Sequence, residues 1–235
     1  MNAELLKLRY LPTPRVVLVL VIVAGIIGGI VVTVASHVVS DAWDGPANVM
    51  SVFGQFAGMV LGAWMIGLEA SERTLRRLAL EEPQRERIIA NKALSMLLVT
   101  LFIGIAGALV SVVVSMIAAP AIGGSWNAGD ALTSLGGAAL TPLFGAILGF
   151  LCALLVGTQT GGIVLALGLS IVVAPLLTST AVGDYTYLVG SNSIVAAIRG
   201  VHATTSVGTG FITVALWILV LGGVGSMRFI QAELP

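Results

Sequence analysis

Long uncharged runs alternate with short charged ones along this chain, and that alternation predicts its elements. Arg15 to Asp41, Asp44 to Glu69 and Lys92 to Asp130 each enclose an uncharged stretch. The hydrocarbon core of a bilayer takes about 20 mainly apolar residues per helix. The spacing therefore predicts spans over 16–38, 48–68 and 92–118, the third stopped by Pro120 and Gly123-Gly124. A fourth stretch, Asp130 to Asp184, is too long for one helix and long enough for two. Its one polar, glycine-rich cluster near the middle is Gly157-Thr158-Gln159-Thr160-Gly161-Gly162. A break there puts the fourth and fifth spans over 136–156 and 162–179, and the sixth is expected over 209–228.

Composition agrees with that pattern. The chain is 57% hydrophobic and 9% charged, against about 25% charged in an ordinary soluble domain. Mean hydropathy is +1.07. These values exclude a soluble enzyme, a disordered tail and a nucleic-acid binder. They predict an all-α integral membrane protein, one transmembrane domain over residues 1–235. Cys152 is the single cysteine, so no internal disulfide forms, and it is expected to pack as a small apolar residue. No cleavable signal is expected, because Lys7, Arg9 and Arg15 precede a full-length span.

Charge placement adds an orientation. With six spans, ten of the eleven basic residues fall on one side, and only Arg199 falls on the other, with Asp41, Asp44, Asp130 and Asp184. The positive-inside rule then puts both termini in the cytoplasm of a multi-pass protein of the cell (inner or plasma) membrane. A 180–208 segment lies outside, and a 69–91 segment lies inside.

The inner segment, with Lys92 at its end, carries half of the chain's 22 charges. Its acids are Glu69, Glu72, Glu81, Glu82 and Glu86, and its bases are Arg73, Arg76, Arg77, Arg85, Arg87 and Lys92. Ser71 or Thr74 can cap a helix whose leucines, Leu75 and Leu78, share one face, and Pro83 ends that turn or starts another. The expected element is a short amphipathic helix at the membrane surface followed by an elbow into the third span. Glu69 and Arg73 stand one turn apart and can pair. A plain topogenic loop needs neither the apolar stripe nor five interleaved acids.

This segment resembles that of the type-2 family of ABC exporter permeases, in which the second span runs into Glu-x-x-x-Gly-Thr-Leu-Arg, then Pro and Arg, then a Lys opening the third span. Glu69 matches the acid, and Thr74-Leu75-Arg76 the Thr-Leu-Arg. Pro83, Arg85 and Lys92 match the rest, and Arg73 stands where the family usually has Gly. The likeness extends in outline over the chain, in size, span number and a longer outer segment before the last span. It implies that Glu69, Glu72, Arg73, Thr74, Leu75, Arg76, Arg77, Glu81, Glu82, Pro83, Arg85 and Arg87 dock into a separate soluble ABC ATPase subunit. Complementary charges suit such a contact, since they steer and register a partner. The resemblance further implies a second permease copy or a homologous permease, and ATP and Mg held by the ATPase, with no cofactor on this chain. No nucleic-acid partner is expected.

Other chemistries lack their residues. ATP hydrolysis by a Gly-Lys-Ser/Thr loop is excluded, because Lys7 and Lys92 follow Leu6 and Asn91. Intramembrane proteolysis or metal catalysis would draw on His37 and His202 alone, and no His or acid pair at helical spacing lies inside an expected span. The span cores hold no ionisable residue away from their ends, which disfavours a proton-coupled carrier. The remaining alternative is a six-span accessory or assembly protein without its own path.

Glycines mark close helix approach. Gly54, Gly58 and Gly62 repeat at four-residue spacing in the second span, as do Gly25 and Gly29, and Gly145 and Gly149. They can pack the bundle, form a dimer seam or line a path. Gln55 can face that path or bond a neighbouring helix. Pro142 and Pro175 can kink the fourth and fifth spans. The apolar lining points to a hydrophobic or amphipathic cargo. Outside, Ser191-Asn192 is expected to cap a short helix ending at Arg199; its residues fit an interfacial helix anchored by Tyr185 and Tyr187, and the resemblance implies a part in an outer gate.

Overall fold

The computed structural model describes residues 12–35, 41–71, 85–121, 128–180 and 182–231, and every regular element among them is helical. Helix α1 runs Pro12–Ala35, α2 Asp41–Ser71, α3 Arg85–Ala121 and α4 Ala128–Val156. Helix α5 (Gln159–Leu177) is α-helical to Leu167, widens to a π turn over Gly168–Val173 and closes with Ala174–Leu177. A 3-10 turn, Gly183–Tyr185, leads into the short α6 (Tyr187–Ile198), and α7 runs Val207–Gln231.

Five helices are long and apolar enough to cross a bilayer: α2 over Ala47–Gly67, α3 over Glu86–Ile117, α4 over Ala131–Val156, α5 over Gln159–Leu177 and α7 over Val207–Ile230. Their outward faces are mainly apolar, with Phe102 and Ile117 of α3, Leu176 of α5 and Leu219 of α7 among the most exposed side chains. In water such faces would be an association liability. In a bilayer they meet lipid tails, and the chain is a helical multi-pass membrane protein. The segment expected as the first span, 16–38, overlaps α1, which is not among the five and seats Val17 and Val21 against Met50 and Leu61 of α2 and Ile103 of α3.

Helix α4 is the centre. Two thirds of its apolar span is buried (67%), against 17% of α7's. Its longest contact is with α2, and the glycine spacing explains it. A methyl group on Gly58 would overlap the carbonyl of Pro142, and one on Gly62 that of Ala146. Reciprocally, methyls on Gly145 and Gly149 would overlap the carbonyls of Gln55 and Met59. Each glycine thus turns a Cα hydrogen toward a carbonyl of the other helix, which suits weak Cα–H···O bonding and maximal dispersion contact. Gly104 of α3 meets the carbonyl of Ala139 in the same way and adds a third helix to the block.

The expected break after the fourth span is a two-residue turn. Gly157 takes φ +78°, open to glycine at no steric cost, and its N–H donates to the Ala153 carbonyl at 2.8 Å. Thr158 then caps α5, its hydroxyl accepting from the Gly161 N–H at 3.3 Å. Helix thus resumes at Gln159, three residues earlier than the glycine cluster suggests. In the fifth span the proline-linked distortion takes the form of the π turn. Pro175 has no N–H to give to the preceding turn, and the wider turn just before it accommodates that loss.

Candidate functional site

Two ends of the bundle and the seam between them hold the residues singled out by the sequence. At one end, marked by Arg228, lie the approaches to the charged segment. Residues 72–84 lie outside the described residues, and with them Glu72, Arg73, Thr74, Leu75, Arg76, Arg77, Glu81, Glu82 and Pro83. The same holds for the expected Glu69–Arg73 pair. Glu69 and Arg85 lie on the last turn of α2 and the first of α3, which places the two ends of the segment; their side chains are outside the description. Glu86 and Arg87 are exposed on the first turn of α3.

Lys92 departs from the pattern of its neighbours. It is 1% exposed and shares an inward face with Ile88, Ser95 and Met96, all buried. A lysine at a span's edge more often snorkels outward along its stem; this one turns toward the core. Where α4 turns into α5, α2, α4 and α5 converge on small residues, Gly67 against Gln159 and Gly162 against Ala153. Arg228 of α7 donates to the Leu155 carbonyl, a cation placed on the negative C-terminal end of α4.

Along the seam, Gly54, Gly58 and Gly62 all face α4, and Gly54 lies against the Pro142 ring. They pack helices within one subunit. Gln55 is 7% exposed. Its backbone carbonyl seats Gly145, and its side-chain Nε2 has no hydrogen-bond partner among the described residues. Ser51 Oγ, one turn earlier, is likewise without a partner. Cys152 is fully buried in an apolar cluster with Met59, Leu148 and Ala166, as its sequence context predicts.

The opposite end, marked by Arg199, is held by side-chain hydrogen bonds. The short helix begins four residues before the expected Ser191-Asn192 cap. Thr186, extended after the 3-10 turn, accepts from the Val189 N–H at 3.4 Å and is the cap instead. Ser191 is then interior to α6, its hydroxyl donating to the Leu188 carbonyl at 3.0 Å. The Tyr187 hydroxyl donates to the Phe144 carbonyl of α4 at 2.7 Å. Burial raises its pKa, which keeps the donor proton in place. The Trp217 indole donates to the Tyr185 carbonyl at 2.9 Å. Arg199 lays its stem over Gly137 of α4 and donates to Asn48 Oδ1 of α2 at 2.6 Å. Between α6 and the π turn lies a cavity of about 20 Å³, room for about one water molecule, lined by Ser170, Tyr187, Thr186 and Trp217 among others.

Sequence reasoning did not foresee the buried Lys92, the Tyr187–Phe144 bond or the Arg199–Asn48 bond. The available signal for the last was that Arg199 is the one base on its side. Among the described residues no group of three or more His, Cys, Asp or Glu side chains could hold a metal ion. Comparisons with known protein families, with curated proteins and with solved structures find no match.

Proposed function

We propose that the chain is the permease subunit of an ATP-driven exporter of the ABC type-2 kind, with α1 as a sixth span and both termini cytoplasmic. At about 1.5 Å per residue the 24 residues of α1 extend about 36 Å, enough for that crossing. The observation that carries the reading is the segment from Glu69 to Lys92, eleven charges around a Thr74-Leu75-Arg76 motif. The packing supports it. The segment joins α2 to α3, and both of these helices are fastened to α4 backbone against backbone. A push on the segment would therefore move a block of helices together.

On this reading a soluble ATPase binds the segment from below and supplies the ATP, the Mg and the phosphate chemistry. Two permease subunits pair, and nucleotide-driven closure of the ATPases shifts the path between inward-open and outward-open states. The cargo is hydrophobic or amphipathic, in keeping with the apolar interior. Exchanging Arg76 and Arg77 for Glu reverses the charge offered to the partner. The full-length R76E/R77E chain, tagged and purified from its native membrane, is expected to lose at least tenfold of the co-purifying nucleotide-binding subunit and its transport-stimulated ATPase, while still inserting. Unchanged capture of that subunit would contradict the proposal.

A further inference from the structure

The permease reading assigns no task to the buried Lys92. Helices α2 and α3 run antiparallel, and their contacts fix the register. A methyl on Gly107 would stand 2.6 Å from Met50 Cε, and nearer the Arg228 end Leu61, Trp64 and Met65 line one small cavity with Met96, Val99 and Thr100. Leu61 thus stands level with Val99 and Thr100, and Met65 with Met96. One turn further toward the Arg228 end, four residues on in α2 and four back in α3, Glu69 and Lys92 come level. Lys92 is 1% exposed. Ser95, one turn on along the same inward face, is fully buried, and its Oγ has no hydrogen-bond partner among the described residues. An ammonium taken out of water needs an opposite charge beside it. Other acids on the described helices are badly placed to supply one. Glu86 is exposed on the same helix, Asp41, Asp44 and Asp130 open α2 and α4 at the Arg199 end, and Asp184 lies in the 3-10 turn there. Glu69, on the last turn of α2, is the acid that the register brings level with Lys92.

We propose that Glu69 and Lys92 form an ion pair that clamps the two ends of the charged segment together, with Lys92 as the residue that positions the segment. The pair closes the point where the segment leaves α2 and rejoins α3, so the segment projects from a fixed base. The unmet Ser95 hydroxyl offers the same carboxylate a further donor. Removing one charge of such a pair leaves the other uncompensated, whereas removing both leaves a contact that apolar side chains can fill. The clamp goes beyond the permease reading and holds whether or not an ATPase seats on the segment.

Chymotrypsin reads the clamp, since it cuts after Leu75, Leu78 and Leu80 and its sites are untouched by the substitutions. It is added to full-length protein in membranes open on the Arg228 side, and the rate of cleavage within 72–84 is followed. Glu69→Gln should raise that rate about tenfold and Lys92→Met about threefold, while E69Q/K92M should return to within about twofold of the parent, because each loss is felt only while the other charge is present. Monodisperse elution in detergent checks that each variant is folded. Should Glu69→Gln fail that check, recovery of folded protein on adding Lys92→Met supports the clamp, and continued failure overturns it. Unchanged cleavage in folded Glu69→Gln, or additive effects of the two substitutions, also overturns it. So does a Glu69→Gln effect that persists beside Lys92→Met and vanishes beside Arg73→Ala, which would give the acid to Arg73. Each of these results leaves the permease proposal standing, since capture of the ATPase by the parent and its loss in R76E/R77E test that reading separately.

Discussion

Helix α4 is held in two opposite ways. It meets α2 and α3 where glycines face carbonyls, backbone against backbone, with the Pro142 ring filling one position of the seam. Helix α6, in contrast, is bonded to α4 through the tip of Tyr187, and Arg199 just after it is bonded to α2 through its own tip. Backbone-to-backbone contact has no rotamer to change and transmits displacement. A side-chain tie can break one bond at a time. The same helix thus carries a rigid backbone seam on one side and breakable side-chain ties on the other.

That contrast can be broken most forcefully at the seam. Gly62→Val places its Cβ in the space of the Ala146 carbonyl, and no rotamer relieves that overlap. The expected loss is about 3 kcal/mol or more, at the upper end for overpacking. Thermal unfolding in detergent, followed by tryptophan fluorescence, reads it as a large fall in midpoint or as failure to purify. Gly149→Val, whose added carbons meet the Met59 carbonyl, should behave alike. A mild effect at both positions would show that the seam is not rigid.

A smaller effect sharpens the other side. Tyr187→Phe removes the donor to the Phe144 carbonyl and leaves the ring in place. The expected loss is about 1 kcal/mol, with faster proteolysis or hydrogen exchange confined to α6. Smaller again is Arg228→Ala, which removes an exposed cation from the C-terminal end of α4 and should cost about 0.3–1 kcal/mol, less at high salt. At the bottom of the series stands Gly223→Ala in α7. No atom lies within 4 Å of the added methyl, so the change should be neutral or stabilising by up to about 1 kcal/mol. If Gly223→Ala destabilised the protein as much as Gly62→Val, glycine content rather than the seam would be the cause.

How much of this was legible in the sequence follows from how local each signal is. The end of the fourth span at Val156 was legible because Gly157 and Thr158 carry turn and cap chemistry in themselves. The seam was legible in part, because four-residue spacing of glycines clears one face of a helix for close approach, although nothing in the sequence pairs Gly58 with Pro142 rather than with a second subunit or a path. The cap of α6 was misplaced because Ser191 and Asn192 have good capping side chains, while the choice of Thr186 depends on the 3-10 turn before it. The π turn has no local mark beyond Pro175. Lys92 and the Arg199–Asn48 pair were not legible, since burial and a contact across 151 residues are properties of the assembled bundle. The docking residues from Glu72 to Pro83 rest on sequence resemblance alone, lying outside the described residues.

The central claim is that a separate ATPase seats on that segment, and the direct measurement is a site-specific photo-crosslink. A photoreactive amino acid replacing Leu75 or Leu78 in the full-length protein is activated in native membranes, and the adduct is identified by mass spectrometry. The account predicts a nucleotide-dependent adduct with a soluble subunit carrying a Gly-Lys-Ser/Thr loop, abolished by R76E/R77E. Adducts to lipid alone, at both positions and with the chain folded and inserted, would contradict it.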